Sequence, residues 1–169
     1  MKLTKMFRAS ATALCCLLAL ISCRQGPDAA SGPLAPVDVK VVDHLVAVLG
    51  HESCVLELVD PASGEKVKSI RLAQPPNGMA VDGATAYVAE GGPRGAVEVV
   101  DLESGALKRS FPAGHTPMSP VVRGGKLYVA CRFDSRVLEM DAATGTVLDS
   151  RNVPREPAAL AVSPAGREV

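Results

Sequence analysis

From residue 37 onward, apolar and polar positions alternate with a period of two, and Gly, Pro, Asn or Asp interrupts the alternation every few residues. That is the pattern of short strands, one side chain in and the next out, joined by tight turns. Ala96-Val97-Glu98-Val99-Val100-Asp101 reads as one strand and Ala106-Leu107-Lys108-Arg109-Ser110-Phe111 as the next, with Leu102-Glu103-Ser104-Gly105 as the turn between them. Upstream, Met79-Ala80-Val81, closed by Asp82-Gly83, and Ala86-Tyr87-Val88-Ala89 give two more strands. Four strands, A to D, therefore follow one another.

The unit repeats. Asp60, Asp101 and Asp141 lie 41 and 40 residues apart, and Gly64, Gly105 and Gly145 keep the same spacing. Pro76, Pro117 and Pro157 do so too, as do Val81, Val122 and Val162, and Tyr87-Val88-Ala89 recurs as Tyr128-Val129-Ala130. Four short antiparallel strands per 40-odd residues describe one blade of a β-propeller. The fold class expected is all-β, with repeats at about 37–72, 73–112 and 113–152 and the start of a fourth at 153–169. Asp38–Val42 is expected to serve as an innermost or closing strand of the first blade. The C–D turns Asp60-Pro-Ala-Ser-Gly64, Asp101-Leu-Glu-Ser-Gly105 and Asp141-Ala-Ala-Thr-Gly145 share one chemistry. Asp accepts from backbone N–H groups two residues on, and Gly supplies a positive φ. These six residues are read as structural.

The repeats resemble the YVTN family of surface-layer and YncE-like propellers. The residues that carry the resemblance are Val137-Leu-Glu-Met-Asp141-Ala-Ala-Thr-Gly145, Gly114-His-Thr-Pro117 and Tyr128-Val-Ala130. The closing Asn of the family motif is replaced by Glu90 and Cys131, and the first unit has Val46-Ala-Val48 in place of Tyr-Val-Ala. The resemblance implies seven blades, or roughly 290 residues. On that expectation the chain is a fragment of a larger propeller, and its open blade edges invite self-association.

The first residues read differently. Lys2, Lys5 and Arg8 precede an apolar run at residues 11–21, too short to span a bilayer. Leu20-Ile21-Ser22-Cys23 resembles the lipobox of bacterial lipoproteins. The resemblance implies a signal peptide at 1–22, a lipidated Cys23, and anchorage in the bacterial cell envelope at a periplasmic or outer-membrane surface. Arg24, where Asp would favour the inner membrane, leans toward the outer one. Residues 23–36, rich in Pro, Gly, Ala and Ser, read as a flexible tether.

Composition removes several functions. The chain has 169 residues, 47% hydrophobic and 21% charged, which is a globular balance. Without the leader, fifteen bases face eighteen acids, and aromatics are only 3%, so neither a basic patch nor a stacking platform suggests nucleic acid. Cys54 and Cys131 stand a blade apart, so they are expected as separate half-buried thiols rather than a disulfide. No haem motif, zinc spacing or nucleophile elbow occurs, so no catalytic residue, metal or cofactor is assigned. Gly91-Gly-Pro-Arg-Gly95 joins two strands and precedes no helix, which rules out a phosphate loop.

In an A-B-C-D blade, the B–C and D–A loops open on one face and the A–B and C–D turns on the other. The C–D turns hardly vary among the repeats, whereas the B–C and D–A loops do. Variable loops on a rigid frame carry binding. The candidate contacts are therefore His51, Glu52, Arg94, His115, Arg132 and Asp134. The function expected is a non-enzymatic, lipid-anchored scaffold for a protein, glycan or small ligand. The alternative is the N-terminal part of a periplasmic redox enzyme or quinoprotein-like propeller whose catalytic domain lies elsewhere. Quinoproteins share the Asp-Ala-Ala-Thr-Gly turn but dock their blades with a Trp, and this chain has none.

Overall fold

A computed structural model describes residues 33–163. The expected signal peptide, Cys23 and the first part of the expected tether lie outside the described residues, as do residues 164–169. Twelve strands form three four-stranded antiparallel sheets, each in simple sequential order. Blade 1 contains β1 (Pro36–Val42), β2 (Leu45–Gly50), β3 (Val55–Val59) and β4 (Lys66–Arg71). Blade 2 contains β5 (Pro76–Asp82), β6 (Thr85–Glu90), β7 (Ala96–Asp101) and β8 (Ala106–Pro112). Blade 3 contains β9 (Pro117–Arg123), β10 (Lys126–Cys131), β11 (Arg136–Asp141) and β12 (Val147–Asn152).

Three details differ from the sequence reading. The A strand of blade 2 begins at Pro76 rather than Met79, because a bulge between Pro76 and Gly78 lets the chain pair before Met79. In blade 1, β1 pairs Pro36 with Gly50 as Pro76 pairs with Glu90, so Ala47-Val48-Leu49 is the counterpart of Tyr87-Val88-Ala89, one residue on from Val46. Residues 153–163 carry no strand; pairing there requires a following strand, and the residues where it would begin are outside those described.

Alternation places successive side chains on opposite faces of each sheet, so each blade has a leading face toward the preceding blade and a trailing face toward the next. Ala47, Leu49, Leu56, Leu58, Ile70 and Leu72 on blade 1's trailing face pack against Met79, Ala86, Val88, Val100 and Leu102 of blade 2. Tyr87, Val97, Val99 and Phe111 of blade 2 pack in turn against Leu127, Val129, Cys131, Leu138 and Met140 of blade 3. Each large side chain so buried contributes roughly 1.5–3 kcal/mol.

Hydrogen bonds repeat across the joints. Along the A strands, the Met79 N–H donates to Asp38 Oδ2 at 2.9 Å, Asn77 Nδ2 to the Pro117 carbonyl at 3.2 Å and Ser119 Oγ to the Ala158 carbonyl at 2.8 Å. At the outer rim, Lys68 donates to the Leu102 and Glu103 carbonyls and Arg109 to that of Ala143.

The C–D turns close in one way. Gly64, Gly105 and Gly145 have φ of 73, 77 and 74°, and each donates its N–H to the carbonyl of its Asp at 2.8 Å. Asp60 Oδ1 accepts from the Ala62 amide, Asp101 Oδ1 from Ser104, and Asp141 Oδ1 from Ala143 and Thr144. These bonds hold the three carboxyls below their ordinary range: the Ala62 amide acts first at Asp60, that of Ser104 at Asp101, and the Thr144 hydroxyl at Asp141.

Candidate functional site

The B–C and D–A loops are tied by two backbone hydrogen bonds that recur in every blade. The first runs from His51, Gly91 and Arg132 amides to the carbonyls of Ala35, Pro75 and Thr116, at 3.0–3.1 Å. The second runs from Leu72, Ala113 and Val153 amides to the carbonyls of Cys54, Gly95 and Ser135, each at 2.9 Å. Two ties are therefore shared by all three blades, while the side chains change and the blade 2 loop, residues 91–95, is one residue longer than residues 51–54 and 132–135.

On blade 3 that frame gathers a cluster. The His115 and Phe133 rings stand 4.9 Å apart at 54°, and the Arg132 guanidinium lies 5.4 Å from the Phe133 centroid. Arg132 also pairs with Glu156 at 3.1 Å. Asp134 Oδ2 accepts from the His115 amide at 2.9 Å and from Arg136 at 3.1 Å. The His115 amide, with Arg136 beside it, holds the Asp134 carboxyl below its ordinary range. Phe133 remains 53% exposed at the centre. Arg132 Nε and Arg136 Nε are buried with no hydrogen-bond partner, which leaves donor capacity at the foot of the cluster. The chain can approach this closely because Gly114, at φ 79°, lacks a Cβ; one there would stand 2.6 Å from Asp134 Oδ2 and 3.1 Å from Cys131 Sγ.

The structure thus brings together three of the six candidates: His115, Arg132 and Asp134. Phe133, Arg136 and Glu156 join them, and none was singled out in the sequence. Phe133 sits between two candidates but carries no titratable group, Arg136 lies two residues on from Asp134, and Glu156 reaches Arg132 from a loop 24 residues away. His51 is on blade 1, its Nδ1 2.7 Å from the Pro76 carbonyl, where it ties that loop to blade 2. Glu52 is exposed on the same loop. Arg94 is exposed on blade 2's B–C loop, whose Gly92 and Gly95 hydrogen-bond to Thr116 and Gly114 beside the cluster.

Both cysteines are free thiols. Cys54 is half-buried, but Cys131 is fully buried, which corrects the expectation of two half-buried thiols. Cys131 Sγ donates to the Ala113 carbonyl at 2.9 Å, and burial pushes its thiol up to about 11. Among the described residues, no three His, Cys, Asp or Glu side chains converge into a metal-binding group.

One pair of titratable groups lies away from the loops' surface. Glu90 and Glu98, only 3% and 7% exposed, share the leading face of blade 2 against blade 1. Glu90 Oε1 accepts from the Ala73 and Gln74 amides at 3.2 and 3.3 Å, while Glu98 Oε2 is buried without a partner. Burial pushes the Glu90 carboxyl up to about 7, and the neighbouring Glu98 carboxyl adds to the rise. At the equivalent place in blade 3, Cys131 and Leu138 make an apolar contact.

No family model and no curated protein matches the chain. Solved structures do. Kuenenia stuttgartiensis hydrazine synthase aligns over 85% of this chain and 43% of its own, with TM-score 0.74 and 20% identity. The RRP9 WD40 repeats align over 76% of this chain and 42% of theirs, at TM-score 0.64 and 18% identity. AztD from Citrobacter koseri aligns over 68% and 34%, at 0.58 and 19%. At such identities the likeness is one of fold, and the fold is that of β-propeller blades. The chain spans less than half the length of these neighbours.

Proposed function

We propose that this chain is a non-enzymatic β-propeller scaffold, anchored by lipid at Cys23 in the bacterial cell envelope, that binds a partner through its B–C and D–A loop face. The observation that carries the reading is the blade 3 cluster. The same two backbone ties hold three different sets of side chains, and on the third an exposed Phe133 is flanked by His115 and Arg132. Aromatic and Arg side chains of this kind dominate binding energy where they are later desolvated. Lipid anchorage on a tether leaves such a face free to reach along the membrane surface.

Photo-crosslinking in intact envelopes tests the binding role. A photoreactive residue at Arg94, beside the cluster, is expected to form adducts that Phe133→Ala removes, while one at Glu103, on the opposite face, forms none. Adducts at Glu103 alone, or adducts at Arg94 indifferent to Phe133→Ala, refute it. Labelling with a palmitate analogue tests the anchor: the tag is expected on the wild type and absent from Cys23→Ser.

A further inference from the structure

The two ends of the blades carry opposite charge. At the turn end, every A–B and C–D turn but one opens with an aspartate: Asp43, Asp60, Asp82, Asp101 and Asp141. Glu65 and Glu103 add to them, against Lys66 and the exceptional turn Arg123-Gly-Gly-Lys126. At the loop end the bases lead. Arg71, Arg94, Arg132, Arg136 and Arg155 stand there against Glu52, Asp134 and Glu156, with Glu90 buried beneath. Asp134 and Glu156 are already paired with Arg136 and Arg132, each at 3.1 Å. Arg71, Arg94 and Arg155 are exposed, so the face presents a surplus of cations. A formal net charge of zero hides this polarity.

The same face carries an exposed ring. Among the described Phe and Tyr side chains, Tyr87, Phe111 and Tyr128 are buried, and Phe133 stands out between His115 and Arg132. Aromatic rings settle at headgroup depth, and Arg side chains are drawn to the phosphates of anionic lipids.

The chain toward Cys23 also leaves from this end. Pro36 pairs with Gly50, the Ala35 carbonyl accepts from the His51 amide at 3.0 Å, and the Leu34 carbonyl accepts from Ser53 Oγ at 3.4 Å. His51 and Ser53 both lie on blade 1's B–C loop. Cys23 precedes Leu34 by eleven residues, a length that reaches at most about 40 Å. A membrane holding Cys23 can therefore meet the loop end with no chain routed around the blades. Its anionic headgroups would repel the turn end.

We propose that the loop face docks on an anionic phospholipid surface, with Phe133 at headgroup depth and Arg94, Arg132 and Arg155 toward the lipid phosphates. The inference rests on the Cys23 anchor and names lipid as the partner of the loop face.

The sequence has no Trp, so Phe133→Trp places a single Trp reporter on the face. The mature lipidated chain is reconstituted in phosphatidylcholine vesicles whose acyl chains carry bromine, a contact quencher. With about a third phosphatidylglycerol, the reporter is expected to lose more than about half of its emission. In phosphatidylcholine alone, or in about 1 M salt, the loss is expected to be at least about threefold smaller. Arg94→Glu with Arg155→Glu, both at exposed positions, removes the dependence on phosphatidylglycerol. Glu103→Trp, in the chain that keeps Phe133, puts the reporter on the turn end and stays bright throughout. Vesicle flotation reads the anchor separately. Protein that does not float refutes the anchor and docking with it. Floating protein whose reporter at position 133 stays bright in phosphatidylglycerol, or is quenched no more than the one at 103, overturns docking alone. Cross-links from Arg94 to a protein in those circumstances would assign the loop face to a protein instead.

Discussion

Replacing Glu90 by glutamine isolates one proton. Glu90 titrates near 7 in the fold against an ordinary value of 4.5, so the native state prefers the protonated carboxyl by roughly 3 kcal/mol. A carboxyl raised in this way favours the fold most when it is protonated in both states. Its contribution is complete below about pH 4.5 and is lost as the pH rises through about 7. Glutamine keeps an acceptor for the Ala73 and Gln74 amides, offers an N–H₂ group to the unpartnered Glu98 Oε2, and does not titrate. Relative to Glu90→Gln, the wild type is therefore expected to lose up to about 3 kcal/mol between pH 4.5 and 7.5. Urea unfolding followed by circular dichroism at several pH values measures the difference. The acids held below their ordinary range, Asp43, Asp60, Asp101, Asp134, Asp141 and Asp149, titrate with the opposite sign at lower pH and are common to both chains, so they cancel. A difference constant to within about 0.5 kcal/mol across that range would show that Glu90 is not held protonated by the fold.

Two further outcomes are expected. Alanine at Gly64, Gly105 and Gly145 forms a graded series at nearly equal φ of 73, 77 and 74°. Gly64→Ala is expected to cost about 1 kcal/mol for the backbone alone, Gly105→Ala somewhat more against Lys68 and Ile70, and Gly145→Ala about 2 kcal/mol or more against Phe111. Urea midpoints order the three, and equal losses would show that the turns do not bear on the joints. A thiol reagent at pH 8 is expected to modify half-buried Cys54 well before Cys131, which is buried, bonded to Ala113 and protonated up to about pH 11. Equal rates in the native protein would contradict that burial.

The fold could be read because five markers recur in phase and each unit keeps a period of two. The register differs in blade 1, where Ala47-Val48-Leu49 stands in place of Tyr-Val-Ala and no aromatic marks the place; Pro36, the counterpart of Pro76, carries the phase instead. Half of the loop cluster could be read as titratable residues on variable loops. Phe133 was passed over because chemistry was sought in ionisable groups, although an exposed ring between two candidates is itself a signal. Glu156 could not be read because contacts between loops do not follow the repeat, whereas Arg136, two residues from Asp134, lay within local spacing. The burial of Glu98 was legible after the fact, since it shares a face with Val100, which packs against blade 1.

The two internal joints share one frame and differ in chemistry, and that difference bears on where a binding site can be held firmly. The first joint encloses Glu90 beside Glu98, and ionisation of Glu90 as the pH rises through about 7 works against close packing. The second has Cys131 and Leu138 at the same places and carries no such penalty. It is the second joint that supports His115, Arg132, Phe133 and Asp134: Cys131 leads directly into the loop, and its thiol bonds to Ala113 at the root of the facing loop. Groups that must meet a partner in fixed positions bind more tightly when their support does not yield. The loop cluster therefore stands on the joint without a buried carboxyl pair, while His51 and Glu52 stand over the one that encloses Glu90 and Glu98.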